Sequence, residues 1–349
     1  MNSIITTGFM GSGSSAATDL LREYEKVSCP NGDYEYVFLH CPNGLFDLED
    51  KLLCNNNAIR SDEALRSFRS TMNDLYGNPH WWFANYRDKL SPRFMQHVDA
   101  FIESLPGAEY EGFWYEHEKV STNQQFIARV RRKLGMAGRG NGHLYGDVMR
   151  YSLPKPEEFY ACAQQFVANV VNDVCSGEAL PIALLDQMFL PHNLNRLNRY
   201  FPNNNAQALV VARDPRDVFV LNKYYWKPQN WAIPMPLDVQ VFCDYYRAMR
   251  EAVPACEEGS VLLVNFEDLV FKYEESVREI EAFLRFDLGA HVRAKECFNP
   301  AVSQRNCAVY ADKPEYAEEA AYIAEQLPEY IYEMPIDVLE HRQRKGLVF

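Results

Sequence analysis

A chain of 349 residues can bury the core of one large α/β domain or of two smaller ones, and 47% hydrophobic with 24% charged residues excludes a disordered or fibrous protein. A formal charge of −13 excludes a general binder of nucleic acid or acidic membrane, so an anionic ligand must be held by a local cluster of donors. No apolar run approaches the roughly 18 residues of a membrane span, the N-terminus lacks the pattern of a signal peptide, and nine cysteines without CxxC or Cys/His ligand spacing read as reduced thiols; the expectation is a cytoplasmic protein with no metal site.

Along the chain, "SIITTGF" (3–9) is a β-branched run that reads as a first strand, and "SSAATDLLREY" (14–24) reads as a first helix. Between them lies "TTGFMGSGSSA" (6–16). Gly8 and Gly13 stand where a phosphate-binding loop wants its glycines, and Ser14-Ser15 stand where Lys-Ser/Thr would follow. "YEYVFLH" (34–40) is expected to be a second strand. "LFDLEDKLL" (45–53) and "SDEALRSFRSTMNDLY" (61–76) read as helices, the latter opened by Ser61.

Residues 79–118 are dense in aromatics, including Trp81, Trp82, Tyr86, Phe94, Phe101 and Trp114. They read first as core for inserted helices, and second as a surface that stacks on sugars or phenols. The basic run "RVRRK" (129–133) precedes a five-glycine loop, "GMAGRGNGHLYGD" (135–147). It is either a solvated helix face or a lid that receives an anion.

"EEFYACAQQFVANVVNDVC" (157–175) is an amphipathic helix, and "YEESVREIEAFLRF" (273–286) is another. "LPIALLD" (180–186), "AQALVVA" (206–212) and "SVLLVNF" (260–266) read as buried strands separated by helical stretches. Continuous apolar runs alternating with helices indicate a mostly parallel sheet covered on both faces. The expected architecture is one α/β domain over 1–349, of the P-loop nucleotide-binding type, with a helical, aromatic-rich insertion at about 55–150.

Backbone N–H groups of a Gly-rich turn can hold phosphate or sulfate without a charged side chain, and Ser12, Ser14 and Ser15 add hydroxyl donors. A nucleoside triphosphatase needs the lysine on its β- and γ-phosphates, so its absence counts against ATP or GTP far more than against anion binding. The alternative is a turn that merely caps the first helix through Ser12 or Ser14. In "ALVVARDPRDVFVLNKYY", Arg213 directly follows a buried strand, and Asp214-Pro215 turns into a helix beginning near Arg216. An arginine at a strand's C-terminal end lies in the crevice where open α/β sheets bind ligands, and its forked guanidinium suits phosphate. The competing reading pairs Arg213 and Arg216 with Asp214 and Asp217 in a solvated turn.

These pieces resemble the PAPS-dependent sulfotransferase superfamily (PAPS is 3′-phosphoadenosine 5′-phosphosulfate). "TTGFMGSGSSA" is similar to the loop that binds the 5′-phosphosulfate, and "VVARDPRDVFV" to the segment that binds the 3′-phosphate. "VLLVNFEDLVFKYEESVREIEAFL" is similar to a later strand, acidic turn and helix, and "FNPAVSQRN" resembles a tail that folds back toward the nucleotide. The likeness covers about the first 25 residues and most of 180–310. It implies PAPS as co-substrate, with Gly11, Ser12, Gly13, Ser14 and Ser15 on the 5′ side, Arg213, Asn222 and Lys223 on the 3′ side, and Ser303 and Arg305 from the tail. It also implies sulfonyl transfer, without a metal, to a hydroxyl acceptor, a small molecule or glycan.

Two positions depart from the pattern. The basic residue usual in the 5′ loop aligns with Gly11, and the serine usual eight residues after the 3′-loop arginine aligns with Leu221. Asn222 or Lys223 could replace that serine. Lys223, Arg305 or one of Arg129, Arg131, Arg132 and Lys133 could supply the missing charge. Asp186, at the end of "LPIALLD", is the first candidate for the base that accepts the hydroxyl proton, and His192 is the second; Asp186 could instead cap the segment that follows it. The alternative functions are a non-catalytic binding protein of this fold and, further off, a P-loop kinase.

Overall fold

The computed structural model describes residues 2–32, 34–81, 83–112, 114, 126–127, 130, 133–134, 147–175, 181–203, 205–229 and 235–346. Arg129, Arg131 and Arg132 of the basic run, residues 135–146 of the glycine loop, and Trp82 lie outside these residues. Seven strands occur among the described residues: β1 (Asn2–Gly8), β2 (Val27–Ser28), β3 (Gly107–Gly112), β4 (Asp147–Ser152), β5 (Ile182–Asp186), β6 (Ala206–Ala212) and β7 (Val261–Asn265). The chain forms two compact units, Met1–Val37 with Val171–Phe349, and Phe38–Val170.

In the first unit a five-stranded, wholly parallel sheet has the order β2-β5-β1-β6-β7. The apolar runs at 182–186 and 206–212 are the strands expected from them, because burial on both faces of the sheet leaves no solvent face for polar alternation. Helix Ser15–Leu21 puts Ala17, Leu20 and Leu21 onto Ile4, Leu184, Leu209 and Val211, and helices Phe266–Phe271 and Tyr273–Leu284 add Leu269, Val277 and Ile280 to that core. The register aligns Thr6 with Asp186, Gly8 with Val211 and Ala212 with Asn265. Residues 9–14, 187–190 and 213–214 therefore leave the sheet side by side at its C-terminal edge.

The expected strand at 34–40 does not form. The edge of the sheet is the two-residue β2, paired with Ile182 and Ala183, and 34–40 is irregular chain and turn. Its apolar residues are buried, which is what the pattern detected, but its backbone is committed elsewhere. Tyr36 N–H reaches the Asp186 carbonyl at 3.0 Å, whereas the Phe38 and Leu39 carbonyls accept from Leu45 and Phe46, the first residues of helix Leu45–Leu53. Gly44 permits that closure, since a Cβ there would lie 2.7–2.8 Å from three carbonyl oxygens.

In the second unit helices Leu45–Leu53, Ala58–Gly77 and Phe94–Ser104 accompany the antiparallel pair β3–β4. The helix expected to open at Ser61 starts three residues earlier. Asn57 caps it by accepting from Arg60 N–H at 3.0 Å, and the buried Ser61 hydroxyl donates to the Ser152 carbonyl at 2.8 Å. Of the aromatics at 79–118, Tyr86, Phe94, Phe101 and Trp114 are buried, while Trp81 and Tyr110 are exposed. Phe166 joins Phe38, Phe68, Phe94 and Phe101 with ring centroids 5.2–6.3 Å apart. This is the packing of an aromatic core.

Candidate functional site

The turn between β1 and helix Ser15–Leu21 is held by glycine chemistry. Gly11 (φ +77°) and Gly13 (φ +82°) both occupy the left-handed region. A Cβ on Gly11 would lie 3.3 Å from the Trp226 ring and 3.4 Å from Asn222 Nδ2, and one on Gly13 would lie 3.1 Å from the Phe266 ring. Position 11, where the resemblance wants a basic residue, is thus filled from outside by Trp226. The Ser12 N–H returns to the Phe9 carbonyl at 2.8 Å. The N–H groups of Gly13, Ser14 and Ser15 make no hydrogen bond to a described residue. Ser14 is the N-cap residue of the helix yet its side chain caps nothing, so the loop is not simply a helix cap.

Arg213 leaves the end of β6 and turns toward this loop. It is 6% exposed; Nη1 donates to the Gly11 carbonyl at 3.4 Å, Nη2 donates to the Asn306 carbonyl, and the guanidinium lies 4.8 Å from the centre of the Phe266 ring. One aromatic ring therefore touches both Gly13 and Arg213. The tail segment does fold back to the loop, and it arrives through Asn306. Ser303 is half-buried, and the Arg305 side chain is exposed while its carbonyl accepts from Arg342 at 2.5 Å.

The "RDPRD" segment is not a solvated turn. Asp214 is fully buried and caps its helix by accepting from Arg216 N–H at 2.9 Å. Arg216 returns a bidentate pair to the same carboxylate at 2.6 and 2.9 Å and stacks 4.0 Å above Tyr310. Asp217 accepts from Ala308 and Tyr310 N–H at 2.7 and 3.1 Å, which fastens the tail. Burial pushes the Asp217 carboxyl up to about 6, with Arg213 pulling the other way. Glu267, from the "FEDL" turn, accepts from Asp214 N–H at 2.9 Å, and burial pushes it up to about 8. After Val220 the helix widens into one π-turn, Leu221–Trp226, which carries Asn222 and Trp226 onto the loop. Asn222 Nδ2 donates to the Val218 carbonyl at 2.7 Å. Lys223 does not reach the loop: its Nζ lies 2.5 Å from Glu319 Oε1.

No family model and no curated protein matches the chain. Among solved structures it is similar to the "Sulfotransferase Domain from the Curacin Biosynthetic Pathway", with 13% identity and a TM-score of 0.37 over 96% of this chain and 98% of that one.

Asp186 ends β5 with 3% exposure. Its Oδ1 accepts from the Thr6 hydroxyl at 3.2 Å, and Thr6 in turn lies 2.6 Å from the Thr18 hydroxyl of the first helix. It is not the cap of the following segment, whose first helical turn starts at Pro191 after Leu190. His192 is half-buried; Nε2 lies 2.9 Å from the Met249 carbonyl and the ring edge meets Phe9 at 6.4 Å. A carbonyl partner makes Nε2 the N–H nitrogen and leaves the lone pair on Nδ1.

Residues that the sequence reading missed complete the site. Asn306, Phe266, Trp226 and Glu267 carry no motif that identifies them in isolation. Gln187, directly after Asp186, sits at φ +54° with its side chain between Thr7 and Ser14. Arg250 stacks 4.2 Å above Phe9 and donates to the Tyr246 hydroxyl at 3.1 Å. Four buried polar atoms around the loop have no hydrogen-bond partner among the described residues: Ser12 Oγ, Arg213 Nε, Asn222 Oδ1 and Glu267 Oε2. Buried polar groups are seldom left unpaired, so their concentration here marks a place for a ligand or water. No helix among the described residues is long and apolar enough to cross a membrane.

Proposed function

We propose that the chain is a sulfotransferase that moves a sulfonyl group from PAPS to a hydroxyl acceptor of the carbohydrate class. The observation that supports this reading is the meeting of the β1 loop with Arg213 over the Phe266 ring, surrounded by unpaired buried donors and acceptors. A bisphosphorylated adenosine needs two anion sites a few ångströms apart. The amides of Gly13, Ser14 and Ser15 with the Ser12 and Ser14 hydroxyls fit one end. The Arg213 guanidinium, with Asn222 beside it, fits the other. The tail, carried in by Asp217, closes the 3′ side at Asn306.

Transfer forms an S–O bond to the acceptor oxygen and breaks the bond between sulfur and the bridging oxygen, whose electrons stay on the phosphate of adenosine 3′,5′-bisphosphate. The protein must align the partners and stabilise that developing charge, a task for the loop N–H groups of Gly13, Ser14 and Ser15, which no described residue engages. The acceptor's proton passes to a base. Of the two candidates, Asp186 is almost fully buried and already accepts from Thr6, whereas His192 is half-buried with its Nδ1 lone pair unspent by the Met249 bond. We therefore assign the proton to His192 and the placing of β1 against β5 to Asp186.

A non-catalytic reading has one observation in its favour: both Arg213 amino groups already serve backbone carbonyls, and position 11 carries no cation. Calorimetry with adenosine 3′,5′-bisphosphate and with ATP–Mg²⁺ tests both readings. Preference for the bisphosphate with sulfonyl transfer from PAPS supports the enzyme, and binding without transfer supports the binding module. Preference for ATP–Mg²⁺, or no binding of either, overturns the nucleotide assignment.

A further inference from the structure

Gln187 is an unlikely residue to find in a left-handed turn, because a branched-free but non-glycine side chain at φ +54° costs about 1 kcal/mol or more. It is held there by three bonds that link the ends of two strands to the loop. Its N–H donates to the Thr6 carbonyl at 2.8 Å, extending the β1–β5 pairing by one residue. Its Oε1 accepts from the Thr7 hydroxyl at 2.9 Å, and its Nε2 donates to Ser14 Oγ at 2.8 Å.

The direction of that last bond decides what Ser14 can do. With the amide oxygen on the Thr7 hydroxyl and the amide nitrogen on Ser14, the nitrogen can only donate. Ser14 Oγ is thus the acceptor, and its own proton points away from Gln187. Ser14 caps no backbone group of its helix. We infer that Gln187 is a positioning residue that orients the Ser14 hydroxyl to donate to a phosphate or sulfate oxygen in the β1 loop. Ser14 occupies the place of the phosphate-loop lysine, so the Gln187–Ser14 relay answers the absence of that lysine with a neutral, pre-aimed proton instead of a charge.

This inference rests on the loop being an anion site, as in the function proposed above, but not on the anion being a nucleotide. The test is a double-mutant cycle on the full chain with Gln187→Met and Ser14→Ala, titrated calorimetrically with adenosine 3′,5′-bisphosphate and separately with inorganic phosphate. Each single variant is expected to weaken binding roughly 10- to 100-fold, the worth of one hydrogen bond to a charged group. The double variant is expected to be no weaker than Ser14→Ala. Gln187→Gly, which is relaxed at a positive φ, serves if the methionine variant does not fold. Equal losses from the Gln187 change in both backgrounds, or no loss, overturn the relay and leave the nucleotide reading standing. Coupled losses for phosphate with no binding of the bisphosphate uphold the relay and overturn the nucleotide reading. Failure of the unmodified chain to bind either anion overturns both.

Discussion

Replacing Glu267 by glutamine probes the acidic layer beneath Arg213. The carboxyl is wholly buried; one oxygen accepts from Asp214 N–H, the other has no hydrogen-bond partner among the described residues, and Asp214 and Asp217 are close enough to oppose its ionisation. A charge on an unpartnered oxygen in that setting is costly, so the folded protein holds the proton up to about pH 8, against 4.5 for the ordinary carboxyl. The sign follows from linkage. Because the folded-state value is raised, the folded state binds one more proton than the unfolded state between about pH 4.5 and 8. The contribution to stability is complete below the lower value and is lost as pH climbs to the upper one, by about 1.4 kcal/mol per pH unit. At pH 7 the unfolded chain gains at most about 3 kcal/mol from ionising this one group. Glutamine keeps the acceptor for Asp214 N–H and cannot ionise. Glu267→Gln should therefore match the parent near pH 5, exceed it in denaturant stability by an increasing margin toward pH 8, and flatten the profile. Chemical denaturation at half-unit pH steps measures this, provided m-values agree between the two chains. Parallel profiles, with the variant less stable at every pH, would show that Glu267 is ionised in the folded state and refute the reasoning.

Two further substitutions bear on the loop and on the base. Gly11→Ala forces a Cβ into a left-handed residue 3.3 Å from Trp226, and should cost about 1–2 kcal/mol of stability and weaken adenosine 3′,5′-bisphosphate binding; an alanine variant as stable as the parent by urea denaturation contradicts the geometry at Trp226. His192→Gln should lower PAPS-dependent turnover roughly 10²- to 10⁴-fold with bisphosphate affinity kept, while Asp186→Asn, which can still accept from Thr6, should stay within a few-fold of the parent; the opposite order in single-turnover rates returns the base to Asp186.

The central sheet was legible because β1, β5 and β6 are buried on both faces, and burial of that kind writes unbroken apolar runs into a sequence; β7 carries a similar run at the sheet edge but is only half-buried, with Leu263 exposed. The same signal misled at 34–40, where Tyr34, Tyr36, Val37, Phe38 and Leu39 are equally buried but two of the carbonyls serve a helix start. Burial belongs to side chains and strand pairing to the backbone, and only the first shows in composition. Strand β2, at two residues, is too short to carry any period. Within the site, Gly11, Gly13 and Arg213 could be picked out because each has a conformational or chemical reason to be that residue type. Lys223 and Arg305 matched only by type, and the folded chain spends the first on Glu319 and leaves the second at the surface. Gln187, Asn306 and Phe266 act through neighbours brought from more than 50 positions away, with no local spacing to announce them.

Phe266 immediately follows β7, and β7 is the edge strand opposite β2, bonded to β6 alone among the described residues. Strand side chains alternate between faces, so a slip of one residue along β6 would swing this ring to the far side of the sheet and take the shared support from beneath Gly13 and Arg213 at once. Recognition of a ligand at the proposed site would thereby be tied to the seating of an edge strand of only five residues, the hinge pin for a loop two strands away.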